Sequence, residues 1–208
     1  MTILALEFSS LQRSVAVARP GSGSAVHEII ESGGSGTNAF GMIERVLGEA
    51  KVEREQIDLI AVGLGPGSYT GIRVAISLAQ GWQLARGAHT IGVSSVAAIA
   101  AQVRIEWLFG RVHIVVDAQR QEFYLATYEI NETSATEIAP LKILPRAEVQ
   151  RRTEKGEIVV GPDAETFKGL AIFPGAADVA RLAASGIVLP GDKLEPIYLR
   201  ETNFVKHR

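Results

Sequence analysis

The hydrophobic pattern begins as a strand meander and then changes period. Thr2 to Phe8, Arg13 to Arg19 and Ala25 to Glu31 are short β-type runs. Turn formers separate them, first Ser9-Ser10 and then Pro20-Gly21-Ser22-Gly23-Ser24. Gly33-Gly34-Ser35-Gly36 leads to Thr37 or Asn38, either of which can cap a helix. Phe40, Ile43, Leu47 and Ala50 follow at helical spacing, with Met42 and Val46 beside them. Asp58 to Gly63 reads as a buried strand and Gly65 to Gly67 as a tight turn. A long helix, capped by Thr70, is expected from about Thr70 to Arg86. A strand over His89 to Val93 and an alanine-rich helix from Ser94 or Ser95 complete this half. Three strands followed by helix, strand, helix, strand and helix imply a mixed α/β sheet with helices packed on it.

The strand pattern restarts in the second half. Arg111 to Asp117 and Gln121 to Ile130 are two strands joined by Ala118-Gln119-Arg120. A strand near Ile138 to Leu144, a short helix from Pro145 and a strand over Glu157 to Val160 come next. Leu170 to Phe173 is expected as a last short strand and Ala176 to Ala184 as a helix. The restart divides the chain into an N-terminal lobe, residues 1–102, and a C-terminal lobe, residues 103–208.

The helical faces raise a packing question. In the long helix, Ile72, Val74, Ala75, Ile76, Leu78, Ala79, Trp82 and Ala85 spread over about 200° of circumference, twice the stripe a helix on one sheet needs. Arg73, Ser77, Gln80 and Leu84 form the narrow, more polar remainder. Either another part of this chain covers the extra face or a partner does. The earlier helix is similarly broad. Phe40, Ile43, Val46 and Leu47 with Val74, Ala75, Leu78 and Trp82 are the candidate partner interface, half of a four-helix contact.

Composition narrows the chemistry. Of 208 residues, 47% are hydrophobic, enough for a sizeable core. Basic and acidic side chains number 21 and 23, so no strong unaided grip on nucleic acid is expected. Cysteine is absent, which removes disulfides, thiolate metal sites and a cysteine nucleophile. The four histidines, His27, His89, His113 and His207, are scattered. The first residues lack the charged start of a secretory signal. Ile72 to Ala85, the most apolar stretch, is interrupted by Arg73, Ser77, Gln80 and Gln83 and is short of the ~20 residues that span a bilayer. A cytoplasmic protein without membrane contact is expected.

The glycine-rich turn Gly63 to Arg73 hands a strand over to a helix, where phosphates are often cradled. It does not fit G-x-G-x-x-G, and it lacks the lysine of a Walker loop. Pro66 also removes a backbone donor. Two readings stay open: a corner for close strand–helix packing, or an anion or nucleotide contact through Glu7, Ser9, Ser10, Gly67, Ser68 and Asp117. Glu7 and Asp117 each end a strand. Across an interlobe cleft they could hold a metal–phosphate complex, or each could cap its own turn. Gly67-Ser68-Tyr69-Thr70-Gly71 is not the G-x-S-x-G of a serine hydrolase.

Gly65-Pro66-Gly67-Ser68-Tyr69-Thr70-Gly71-Ile72-Arg73 closely resembles the signature of the TsaB family (YeaZ-like, glycoprotease-like) of bacterial tRNA threonylcarbamoyladenosine biosynthesis. Ile3 to Ser10, Ile91-Gly92-Val93-Ser94-Ser95, Val116-Asp117-Ala118 and Glu195-Pro196-Ile197-Tyr198-Leu199-Arg200 fall in that family's order. The resemblance implies two lobes of ribonuclease-H-like fold, as in the acetate kinase, sugar kinase, Hsp70 and actin group. It also implies a non-catalytic subunit. Such a subunit binds and activates a catalytic paralogue that adds threonylcarbamoyl to the tRNA adenosine beside the anticodon. A small ATPase joins the pair, the subunit alone forms a homodimer, and tRNA is reached only through the complex. No cofactor of its own is implied, with ATP or ADP at a partner interface. The paralogue's His-x-x-x-His falls here on Ser95 and Ile99, so no metal ligand and no catalytic residue are implied. This chain departs from the family in Glu7, where Asp is usual, and in Ser35-Gly36, where His-Ser is common. It departs again in Gly161-Pro162-Asp163, a proline-containing turn. An ATP-binding kinase or ATPase and a glycoprotease-like metallopeptidase are the competing readings.

Overall fold

The computed structural model describes residues 1–21, 25–33, 38–189 and 194–200. Residues 22–24 of the second turn, Ser35-Gly36, Thr37 and His207 lie outside the described residues. Strands β1 (Ile3–Glu7), β2 (Gln12–Ala18) and β3 (Val26–Ser32) pair antiparallel in sequence. β4 (Leu59–Gly63) then lies parallel to the other side of β1, and β5 (His89–Val93) parallel to β4. The order β3-β2-β1-β4-β5 is that of a ribonuclease-H-like sheet. A second sheet repeats its first four positions as β8-β7-β6-β9, from β6 (Gly110–Asp117), β7 (Glu122–Ile130), β8 (Ala135–Pro145) and β9 (Ile158–Val160). β6, β7 and β8 are antiparallel and β9 is parallel to β6. The two-lobed α/β fold expected from the sequence is the fold observed.

Alternation along β1 assigns the helices to faces. Leu4 and Leu6 point to one side, where they bury α1 (Ala39–Ala50) and α2 (Tyr69–Arg86) through Met42, Ile43, Val46, Leu47, Ile72, Ala75 and Ala79. Asn38 caps α1 by accepting from Gly41 N–H at 3.3 Å. Ile3 and Ala5 point to the other side and meet α5 (Ala176–Ala184). Alanine faces alanine here: Ala5, Ala16 and Ala61 of the strands against Ala176, Ala180 and Ala183 of the helix, so the backbones approach closely. Two strand side chains anchor the start of α5. Ser14 Oγ accepts from Ala176 N–H at 2.7 Å and Glu28 from Ala177 N–H at 3.0 Å.

α3 (Ser95–Ile105) bridges the sheets. Its Val96, Ile99, Ala100 and Val103 pack on the second sheet, while Ala98 joins the back of the first. α4 (Arg146–Glu154) covers the second sheet's other face through Val149, with Phe123, Leu125 and Phe167. A division at 102/103 therefore runs through α3, and α5, late in the chain, rests on the first sheet. Leu170 to Phe173 differs from expectation. Only Leu170 bridges, to Val160: Leu170 N–H donates to the Val159 carbonyl at 3.0 Å, Gly161 N–H to the Leu170 carbonyl at 3.1 Å, and Ile172 N–H to the Gly161 carbonyl at 3.4 Å, just past the end of β9.

Candidate functional site

The end of β1, the glycine turn and the start of α3 meet in one buried corner. Glu7 is fully enclosed. Its Oε1 accepts from Ser9 N–H at 2.7 Å and its Oε2 from the Ser95 hydroxyl at 2.7 Å. Ser95 Oγ in turn accepts from Gly65 N–H at 3.0 Å, and Ser95 N–H donates to the Gly65 carbonyl at 3.0 Å. Burial pushes the Glu7 carboxyl above the usual carboxylate range, opposed by the hydrogen bonds from Ser9 and Ser95. Both carboxylate oxygens are thus taken up inside the protein. That corrects the assignment of Glu7 as an anion or metal–phosphate contact, because no face of it reaches the cleft.

The glycines serve this packing. A Cβ on Gly63 would run into the Glu7 carboxylate, one on Gly67 into the Ser9 carbonyl and one on Gly71 into the Phe8 carbonyl. Ser68 N–H donates to the Ser9 carbonyl at 2.6 Å, while Ser68 Oγ caps α2 by accepting from Gly71 N–H at 3.3 Å. Ser68, not Thr70, is therefore the cap, because its hydroxyl takes the free N–H of Gly71, and the helix starts at Tyr69, one residue earlier than expected. Ser9 and Ser10 are buried, and Ser10 Oγ donates to the Gln12 carbonyl at 2.6 Å. Glu7, Ser9, Gly67 and Ser68 are brought together, with Ser9 N–H given to Glu7, Ser68 N–H to the Ser9 carbonyl and Ser68 Oγ to the cap of α2.

Asp117 lies on the second sheet and caps the β6–β7 turn. Its carboxylate accepts from Gln119 N–H at 2.8 Å and from the Gln119 amide at 3.0 Å. Its own N–H donates to Asp163 at 2.8 Å. This cap holds Gln119, Arg120 and Gln121, all at positive φ, in a tight left-handed turn. Ser95 and Ile99 are both buried, Ile99 within the second sheet's core. Among the described residues no three or more His, Asp or Glu side chains converge. His113 is buried, with Nδ1 2.9 Å from Thr127 Oγ1 and Nε2 2.7 Å from a Glu157 oxygen but out of line for a hydrogen bond. Burial and the nearby Arg152 pull its imidazole below the ordinary value.

The helical face divides differently from expectation. Ile43, Val46, Leu47 and Ala75 are buried in this chain's own core, so they cannot meet a partner directly. Phe40 is 72% exposed, and Val74, Leu78 and Trp82 are half-buried along one side of α2. The chain covers part of the broad face itself, because Leu189, Leu194 and Ile197 join the same core. What stays open is a crest of Tyr69, Arg73, Ser77, Gly81 and Leu84. Leu84 is 90% exposed and Tyr69 56%. Tyr69, Gly81 and Leu84 were missed as interface candidates; their spacing of three to four along α2, continuous with Arg73 and Ser77, was the available signal.

The description tRNA N6-adenosine threonylcarbamoyltransferase (TsaD) belongs to the family whose model matches residues 36–180. The tRNA threonylcarbamoyladenosine biosynthesis protein TsaB of Escherichia coli is 29% identical over 96% of this chain and 95% of its own length. The protein of that name from Bacillus subtilis is 23% identical over 81% of this chain and 74% of its own. The solved structure of YeaZ from Pseudomonas aeruginosa is 25% identical and superposes with a TM-score of 0.77 over 95% of this chain and 99% of that one.

Proposed function

The chain belongs to the tRNA N6-adenosine threonylcarbamoyltransferase (TsaD) family and stands with its TsaB members, and from that membership we propose that it serves tRNA threonylcarbamoyladenosine biosynthesis as a partner subunit. It docks on the catalytic transferase paralogue and activates it without chemistry of its own. The observation that carries this reading is the uncovered crest of α2. Leu84 and Tyr69 of α2 and Phe40 of α1 stand in solvent, and Val74, Leu78 and Trp82 of α2 are half-buried. Apolar side chains left open along one helix offer a surface for a protein contact. The interior agrees with a supporting role. Ser95 and Ile99, where the resemblance puts a metal pair in the catalytic paralogue, are committed to the Glu7 network and to a hydrophobic core.

In this reading the protein acts in the cytoplasm; no helix among the described residues is long and apolar enough to cross a membrane. A small ATPase joins the assembly, tRNA is reached only through it, and ATP or ADP is held where partners meet. Alone, the chain pairs with a second copy through the same crest.

The test is co-elution of the purified chain with the transferase paralogue. Ser77→Arg puts a long cation on an exposed, small position of the crest without disturbing the core. It is expected to abolish co-elution while leaving the melting curve unchanged. Retention of binding by a folded Ser77→Arg chain removes the crest from the interface. Ile43→Arg is unsuitable, because that side chain is buried and the variant would unfold.

A further inference from the structure

The terminal run Glu195 to Arg200 has no part in the reading above, yet three contacts pin it. Ile197 N–H donates to the Leu64 carbonyl, just past β4, at 2.8 Å. The Tyr198 ring stacks on Tyr69 with centroids 5.5 Å apart and planes 26° from parallel. The Arg200 guanidinium donates to the Ala118 carbonyl at 3.0 Å and to the Glu122 carboxylate at 2.6 Å, at the β6–β7 turn. Residues 194–200 thus run from the first sheet to the second and pass over the first turn of α2. Tyr198 is 40% exposed and Leu199 45%. Arg73, one helical turn beyond Tyr69, holds its guanidinium 4.3 Å from the Tyr69 ring centroid. No carboxylate among the described residues pairs with it.

We propose that this segment is one wall of the face that receives the catalytic paralogue. Tyr198 and Leu199 join Tyr69 and Arg73 to close one end of the α2 crest, and Arg200 clasps the wall to the second sheet. The inference rests on the docking reading above and adds to it a part of the chain outside α1 and α2. Tyrosine and arginine carry a large share of binding energy where they are centred and desolvated. A ring already stacked and tied at both ends loses little conformational freedom on binding. An exposed cation without an acid of its own calls for one on the occupant. The paralogue therefore lays an acidic side chain against Arg73 and apolar surface over Tyr198 and Leu199. Ser77 and Gly81, further along the crest, let its backbone come close.

The experiment is titration of the full chain against the purified transferase paralogue. Tyr198→Ala is expected to weaken binding by about tenfold, the usual scale for an aromatic anchor. Arg73→Gln is expected to weaken binding and to flatten its dependence on salt. Arg200→Ala, whose side chain contacts the second sheet and not the crest, is expected to weaken binding about threefold or more and to speed amide exchange at residues 197–199. Leu199→Glu repeats the test without touching the tyrosine stack, should Tyr198→Ala unfold the chain.

If Ser77→Arg abolishes binding while Tyr198→Ala, Leu199→Glu and Arg200→Ala bind like the wild-type chain, the wall is overturned and the docking reading stands. If folded Ser77→Arg also binds like the wild type, the docking reading fails and the wall fails with it. Loss of a homodimer in Tyr198→Ala with unchanged affinity for the transferase assigns the segment to a second copy, which also overturns the proposal.

Discussion

Ser95 donates its hydroxyl to the Glu7 carboxylate across 2.7 Å, joining the end of β1 to the start of α3 over 88 residues of sequence. The same oxygen accepts from Gly65 N–H, so one small side chain on α3 satisfies groups on two other segments at once.

Ser95→Ala leaves a buried carboxylate oxygen and a buried N–H without partners. The expected cost is about 2–3 kcal/mol of folding stability, read from the shift of the urea midpoint at constant slope. A loss under about 0.5 kcal/mol, the range of ordinary surface changes, refutes the tie.

The two sheets are expected to answer acid in opposite directions. Burial raises the Glu7 carboxyl above its ordinary value of 4.5. Its protonated form favours the fold, so this contribution is complete below pH 4.5 and lost as pH rises through the folded value. His113 is lowered from its ordinary 6.5, so its contribution is complete above pH 6.5 and lost as pH falls through the folded value. Amide exchange followed from pH 7 to pH 5 should quicken in β6 and β7 relative to β1. Glu7→Gln should remove the first dependence and His113→Gln the second. Identical pH responses in wild type and both variants disprove the assignment.

Two glycines of α2 are expected to behave oppositely. A Cβ at Gly71 meets the Phe8 carbonyl of the backbone, so Gly71→Ala must separate α2 from β1. It should cost about 2 kcal/mol or more, on the scale of overpacking. Gly81 has open space around it within the same helix, so Gly81→Ala should stabilise by roughly 0.5–1 kcal/mol. Thermal melts of the pair decide this. Equal shifts of the same sign contradict the packing argument.

The cap of α2 is also testable. Ser68→Ala should cost about 1 kcal/mol, and Thr70→Ala within about 0.5 kcal/mol of nothing, since only the Ser68 hydroxyl accepts from the first turn. The reverse order in chemical denaturation restores Thr70 as the cap.

The strands and helices were legible because each is a local matter. Period-two runs such as Leu4 and Leu6 against Ile3 and Ala5, and the 3.6-residue spacing of Met42, Val46 and Ile72, Ala79, follow from backbone geometry alone. Partner residues on the helices were legible only in part. Periodicity identifies an apolar face but does not say which of its side chains the sheet beneath consumes. Ile43, Val46, Leu47 and Ala75 went to the core, while Tyr69 and Leu84 stayed in solvent.

By itself the sequence determined the elements except the expected strand at Leu170 to Phe173, their order, the mixed α/β class and the glycine motif that marks the family. The rest was decided by distance in space. Glu7 sits in a network with Ser95 rather than in a cleft, because α3 begins where β1 ends. α5 lies on the first sheet, because Ser14 and Glu28 supply acceptors for its opening N–H groups. The terminal run became a clasp between the sheets, because Leu64, Tyr69 and Glu122 converge beneath it. Local spacing carries no information about such contacts, since they join segments whose separation is set only when the whole core is packed.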